Sequence, residues 1–157
     1  MIAVVMGVSG AGKSAIGAAL ADELGWRFID ADDYHPEANV AKMAAGQPLD
    51  DADRWPWLDR LNAVMKEEKK AVVACSALKE SYRRRLARGI DCIEWVWLRG
   101  DFQLIQSRLL NRQHRYMPAS LLESQFAALE PPAHAITVDV SADVEACVAA
   151  IATQLRR

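Results

Sequence analysis

Apolar residues fall in two kinds of run along this chain. Ile2–Met6, Trp26–Asp30, Ala71–Cys75, Ile93–Leu98 and Ile136–Val140 are short strand-like blocks, and most of them suit burial on both faces. Between them the apolar positions change to helical spacing. Ile16, Leu20 and Leu24 mark one face of a helix over Lys13–Leu24, which Gly25 stops. Residues 37–70 read as helical, with breaks near Gly46-Gln47-Pro48 and again at Pro56. Leu58, Leu61 and Met65 stripe the later part. Asp101 is placed to cap a helix carrying Phe102, Ile105 and Leu109. Leu121, Gln125, Phe126 and Leu129 keep the helical period until Pro131-Pro132 ends it. Ser141 is the expected cap of a last helix lined by Val144, Cys147, Val148, Ile151 and Leu155.

Strands alternating with helices through short connections predict an α/β fold. The expected form is a five-stranded parallel sheet flanked by helices, in a single domain over residues 1–157. Ligands of such sheets bind outside the carboxyl ends of the strands. Gly7–Ser14, Asp30–His35 and Cys75–Lys79 each follow a strand, so they should meet at one edge.

Composition narrows the function classes. The net charge of −2 gives no electrostatic support for nucleic acid as a partner, and no apolar run nears the 18 residues of a membrane span. The amino-terminal residues are too short a run and too glycine-rich for a secretory signal. Cys75, Cys92 and Cys147 lack zinc or CxxC spacing and read as small buried apolar residues of a reducing cytoplasm.

The strongest chemical signal is Gly7-Val8-Ser9-Gly10-Ala11-Gly12-Lys13-Ser14, which fits G-x-x-x-x-G-K-[ST] between a strand and a helix. Glycines there let successive N–H groups turn toward phosphate oxygens, and the helix start adds a favourable dipole. Lys13 should reach the β- and γ-phosphates of ATP, and the Ser14 hydroxyl should hold Mg²⁺. The motif specifies a P-loop NTP hydrolase fold. A nucleotide-dependent switch is the non-enzyme alternative. Against it, Asp22-Glu23-Leu24-Gly25 lies inside the first helix and no guanine-reading N-K-x-D occurs.

Asp30 and Asp32 close the second strand two residues apart, so their side chains project similarly from an extended segment. Asp30 is assigned to the metal side. Asp32 is assigned as the base that accepts the attacking hydroxyl's proton. Asp33 reads as solvated.

From here the chain resembles gluconokinases of the short P-loop type. The resemblance is carried by Asp30-x-Asp32-x-x-His35-Pro36, Asn39-x-x-Lys42-Met43, Gly46-x-Pro48-Leu49 and Asp51-x-Asp53-Arg54-x-Pro56-Trp57-Leu58. Cys75-Ser76-Ala77-Leu78-Lys79 with Tyr82-Arg83, and the block from Leu121 to Glu130, continue it. It implies ATP:gluconate 6-phosphotransfer, a sheet like that of shikimate and adenylate kinases, a mobile lid near 112–120, and often a homodimer. Gluconate offers a carboxylate and five hydroxyls, and His35, Lys42, Arg54, Lys79 and Arg83 supply polar and cationic groups for it. Arg54, with its planar fork, is assigned to the carboxylate. Arg108 and Arg112 share a helix face, and the resemblance implies that arginines here approach the ATP phosphates and adenine. The lid departs from the family pattern, reading His114-Arg115-Tyr116-Met117-Pro118 where Gly-His-Phe-Met is usual, which leaves Arg112 and Arg115 as rival phosphate-facing groups. Another small sugar acid or shikimate remains the alternative acceptor. Trp55 and Trp57 read as packing residues, and Arg83-Arg84-Arg85 as a mostly solvated helix face.

Overall fold

The computed structural model describes residues 1–111 and 119–157. Five parallel strands, β1 (Ile2–Met6), β2 (Arg27–Asp30), β3 (Ala71–Ala74), β4 (Ile93–Arg99) and β5 (Ile136–Asp139), form one sheet in the order β2-β3-β1-β4-β5. The helices are α1 (Lys13–Leu24), α2 (Glu37–Ala44), α3 (Asp51–Lys66), α4 (Glu80–Leu86), α5 (Phe102–Leu110), α6 (Ala119–Ala128) and α7 (Val144–Leu155).

The unbroken apolar run of β1 follows from its central place. Ala3 and Val5 enter one core layer with Ile16 and Leu20 of α1 and Ile151 of α7. Ile2, Val4 and Met6 enter the other layer, with Leu58, Leu61 and Met65 of α3 and Leu86 of α4. Side chains alternate across a strand, so a strand covered on both faces must be apolar at every position. Burying the α3 stripe contributes about 1.5–3 kcal/mol per large side chain.

Helix ends explain most departures from the sequence reading. Pro56 lies inside α3 rather than breaking it. The helix has already begun at a capping box, in which Asp50 and Asp53 exchange side-chain-to-backbone hydrogen bonds of 2.8 and 2.9 Å. Proline then removes a single i→i−4 bond, and buried Trp57 and Leu58 anchor the next turn. Asp143, not Ser141, caps α7 by accepting from the Ala146 N–H at 2.8 Å. Ser141 is held by Asp139 instead, and Val144, in the first turn, is exposed. Asp101 caps α5 as expected, accepting from Leu104 N–H. Cys75 and Cys147 are buried but Cys92 is exposed.

Candidate active site

The P-loop leaves β1 and enters α1 through two left-handed glycines, Gly10 at φ +84° and Gly12 at φ +98°. A Cβ on Gly10 would lie 2.8 Å from Leu109 Cγ of α5, so this position has neither the backbone nor the space for a side chain. The result is a close-packed phosphate cradle. Lys13 Nζ donates to Val8 O across it at 3.0 Å.

β2 brings acidic groups to the same edge. Ser14 Oγ donates to Asp30 Oδ2 at 2.9 Å, while Asp30 Oδ1 accepts from the Asp32 N–H at 3.0 Å and starts the 3₁₀ turn Ala31–Tyr34. Ser14 and Asp30, expected on the metal side, are therefore adjacent. A hydroxyl and a carboxylate are hard oxygen donors that suit Mg²⁺. Among the described residues no three His, Cys, Asp or Glu side chains gather in a metal-holding group. An ion beside Ser14 would therefore take further ligands from phosphate and water, as Mg²⁺ commonly does.

Lys13, Ser14, Asp30, Asp32, His35 and Arg54 line one cleft of about 530 Å³. Asp32 is exposed, with Oδ1 3.7 Å from His35 Nε2. The His35 side chain is only 3% exposed and stacks on Trp57 with centroids 4.1 Å apart. Burial holds its imidazole below the usual histidine range; Asp32 opposes this and Arg54 adds to it. Trp57 is thus a packing residue that also walls the cleft, fixed by an indole N–H donated to Ala31 O at 2.8 Å. Arg54 donates to Leu49 O at 2.6 Å and to the Tyr82 hydroxyl at 3.0 Å. It also lines an adjoining outer cavity of about 500 Å³, together with Lys79.

Three other expected ligands are placed differently. Lys42 Nζ lies 2.7 Å from Asp53 Oδ2, bracing the start of α3 and holding that carboxyl below its usual range. Arg83 is 4% exposed. It donates to Ala77 O at 2.7 Å and Glu130 O at 2.9 Å, and pairs with Glu80 at 3.2 Å. It therefore clamps the β3–α4 loop, in which Ala77 adopts φ +45°. The Arg83-Arg84-Arg85 run is therefore only partly a solvated face: Arg84 is exposed, while Arg85 forks onto Asp59 through two hydrogen bonds of 2.8 Å. Arg108 donates to Val140 O at the end of β5 and is not among the cleft-lining groups. Arg112, Arg115 and most of the expected lid lie outside the described residues.

Gln125 was not singled out as a site residue by sequence reasoning, although it stands in the Leu121–Glu130 block. From α6 its Oε1 accepts the Ser9 N–H at 2.7 Å and its Nε2 donates to Ser9 Oγ at 3.2 Å. It lines both cavities.

Comparison with known proteins gives the same picture. The shikimate kinase family profile matches residues 9–148. A probable gluconokinase of Xenopus tropicalis is 42% identical over 180 aligned positions, covering 100% of this chain and 94% of that protein. The gluconokinase of Gluconobacter oxydans (strain 621H) is 51% identical over 134 residues, covering 82% and 75%. The crystal structure of a gluconokinase from Sinorhizobium meliloti 1021 superposes with a TM-score of 0.92 at 40% identity, over 99% of this chain and 91% of that one. With the phosphate cradle, the acidic strand end and the cleft between them in place, the chain belongs to the gluconokinase family of shikimate kinase-like P-loop kinases.

Proposed function

We propose that this protein is a gluconokinase, transferring the γ-phosphate of ATP to the 6-hydroxyl of D-gluconate. The observation that carries the reading is that the P-loop, Asp32 and Arg54 open onto one cleft. Its family relatives are named gluconokinases over most of the chain.

ATP phosphates would lie in the Gly7–Ser14 loop, where Lys13 exchanges its Val8 contact for phosphate oxygens. Mg²⁺ held from the Ser14 and Asp30 side would draw charge from the β- and γ-phosphates. Gluconate would lie between the Asp32–His35 turn and Arg54, with its carboxylate on the Arg54 fork and Lys79 farther out. The hydroxyl oxygen bonds to the γ-phosphorus, the bond from that phosphorus to the β-bridging oxygen breaks, and the hydroxyl proton passes to Asp32. Catalysis of this kind is mostly positioning and electrostatics.

We read the whole chain as one kinase domain acting in the cytoplasm, and a homodimer is the assembly that the family resemblance allows. Three free cysteines suit a reducing compartment, and no described helix is long and apolar enough to cross a membrane.

ATP consumption measured side by side with gluconate, shikimate, glucose and AMP tests the substrate. Gluconate should exceed the others by at least 10³-fold in kcat/KM, a margin of about 4 kcal/mol that sites built to bind hydroxyls reach. Equal turnover of shikimate would overturn the assignment.

A further inference from the structure

Asn39 and Arg83 are the buried polar or charged residues among the described ones, exposed by 2% and 4%, and the side chain of His35 is buried beside Asn39. A polar group is expensive to bury unless it is fully engaged, so each calls for a structural reason. Arg83 clamps a strained loop. The reason for Asn39 lies in what it dictates to His35.

A backbone carbonyl can only accept. The Asn39 atom 2.9 Å from Asp53 O must therefore be the amide nitrogen, which settles the orientation of that amide. The same nitrogen lies 3.2 Å from His35 Nδ1. One of its two hydrogens goes to Asp53 and the other is directed at Nδ1, which must then present a lone pair. A hydrogen on Nδ1 would face the amide hydrogen. The ring proton belongs on Nε2, and the ring is neutral. Flipping the ring would point a carbon at the buried amide and leave its hydrogen without an acceptor. The stack on Trp57, with rings 17° from parallel, opposes rotation.

Nε2 looks toward Asp32 Oδ1 across 3.7 Å. That gap is too long for a direct hydrogen bond, but an oxygen set about 2 Å to one side of the line joining them would lie about 2.8 Å from each atom. A hydroxyl there would receive the Nε2–H on one lone pair, give its own hydrogen to Asp32, and keep its other lone pair for phosphorus. We propose that Asn39 is a positioning residue that locks His35 in the neutral Nε2–H tautomer, giving the acceptor hydroxyl one fixed donor beside the Asp32 base. The tautomer lock stands on this geometry alone; its effect on the hydroxyl rests on the gluconokinase reading above. Burial of the ring, aided by Arg54 and opposed by Asp32, disfavours the imidazolium and so agrees with the lock.

Long-range ¹⁵N–¹H spectra of the histidine rings in the full chain at pH 7.5, with His35 identified by loss of its signals in His35→Gln, test the lock directly. The expected pattern is a protonated Nε2 and a bare Nδ1 in the wild type. A protonated Nδ1, alone or with Nε2, overturns the proposal. In Asn39→Asp a carboxylate oxygen can face Nδ1, so the proton should move there. The KM for gluconate should then rise at least tenfold while the KM for ATP stays within threefold. An unchanged KM for gluconate in a variant whose tautomer has switched overturns the functional half. Should Asn39→Asp not fold, because its carboxylate meets Asp53 O, the wild-type spectrum still decides the lock. Asn39→Leu, which lacks any donor, then takes its place and should show mixed tautomers. A wild type that shows Nε2–H yet does not phosphorylate gluconate refutes the acceptor assignment and leaves the lock supported.

Discussion

Gln125 clasps Ser9 with both ends of its amide, the carbonyl on the backbone N–H at 2.7 Å and the nitrogen on the hydroxyl at 3.2 Å. The contact joins α6 to the third residue of the P-loop, over 116 positions of sequence. Since Gln125 also borders both cavities, Gln125→Ala should disturb the loop where phosphate and acceptor meet. We expect kcat to fall about tenfold, or ~1.4 kcal/mol of barrier, with the KM for ATP within threefold. Full activity in steady-state assays would make the clasp merely structural.

Lys13→Ala should remove activity by 10³-fold or more while the circular dichroism spectrum and melting profile stay close to wild type, because the half-exposed Lys13 is not part of the core. Activity within threefold of wild type would remove the basis of the P-loop assignment. Asp32→Asn should lower kcat by 10²-fold or more with ATP binding retained. Weaker ATP binding with unchanged kcat would move Asp32 to the metal side.

Arg54 and Arg83 were both candidate substrate ligands in the sequence, yet the structure separates them. Arg83→Lys loses a fork that spans two carbonyls in a buried place, so it should cost about 2–4 kcal/mol of stability, or roughly 5–10 °C in Tm. Arg54→Lys should leave Tm within about 3 °C and raise the KM for gluconate tenfold or more. Calorimetry and kinetics on both variants check this, and the reverse pattern would exchange their roles.

Acid should destabilise the protein in two steps of known sign. His35 sits below its usual pKa through burial, so its contribution is complete above about pH 6.5 and is lost as pH falls from there through the folded value. Asp53, Asp59 and Asp139 are also lowered, by Lys42, Arg85 and the Ser141 hydrogen bonds. Their contribution is complete above about pH 4 and is lost below it. Urea midpoints against pH should show both declines. His35→Gln should erase the upper one and Lys42→Met should weaken the lower one; an upper decline untouched by His35→Gln would assign it elsewhere.

The central strands β1 and β3 were legible because burial on both faces forces apolar runs, and the P-loop because its glycine spacing has few other uses. What the sequence hid was partner choice. Lys42, Arg83 and Arg54 are all cations near the same edge, and only three-dimensional placement sends the first to Asp53, the second to two carbonyls and the third to the cleft. Pro56 misled because a proline's effect depends on whether the helix already has a capped start. Gln125 and Ser9 are too distant in sequence for any local pattern to pair them.

Cys92 has a practical consequence. Its carbonyl accepts the Ile2 N–H at the beginning of β1, five residues and roughly 16 Å of strand away from where the P-loop begins. The two other thiols are shielded, Cys75 being pushed up to about 12 by burial. A maleimide dye or a surface linker attached to the native polypeptide would therefore settle on the rim remote from the chemistry, giving a uniformly oriented catalyst without engineering a handle.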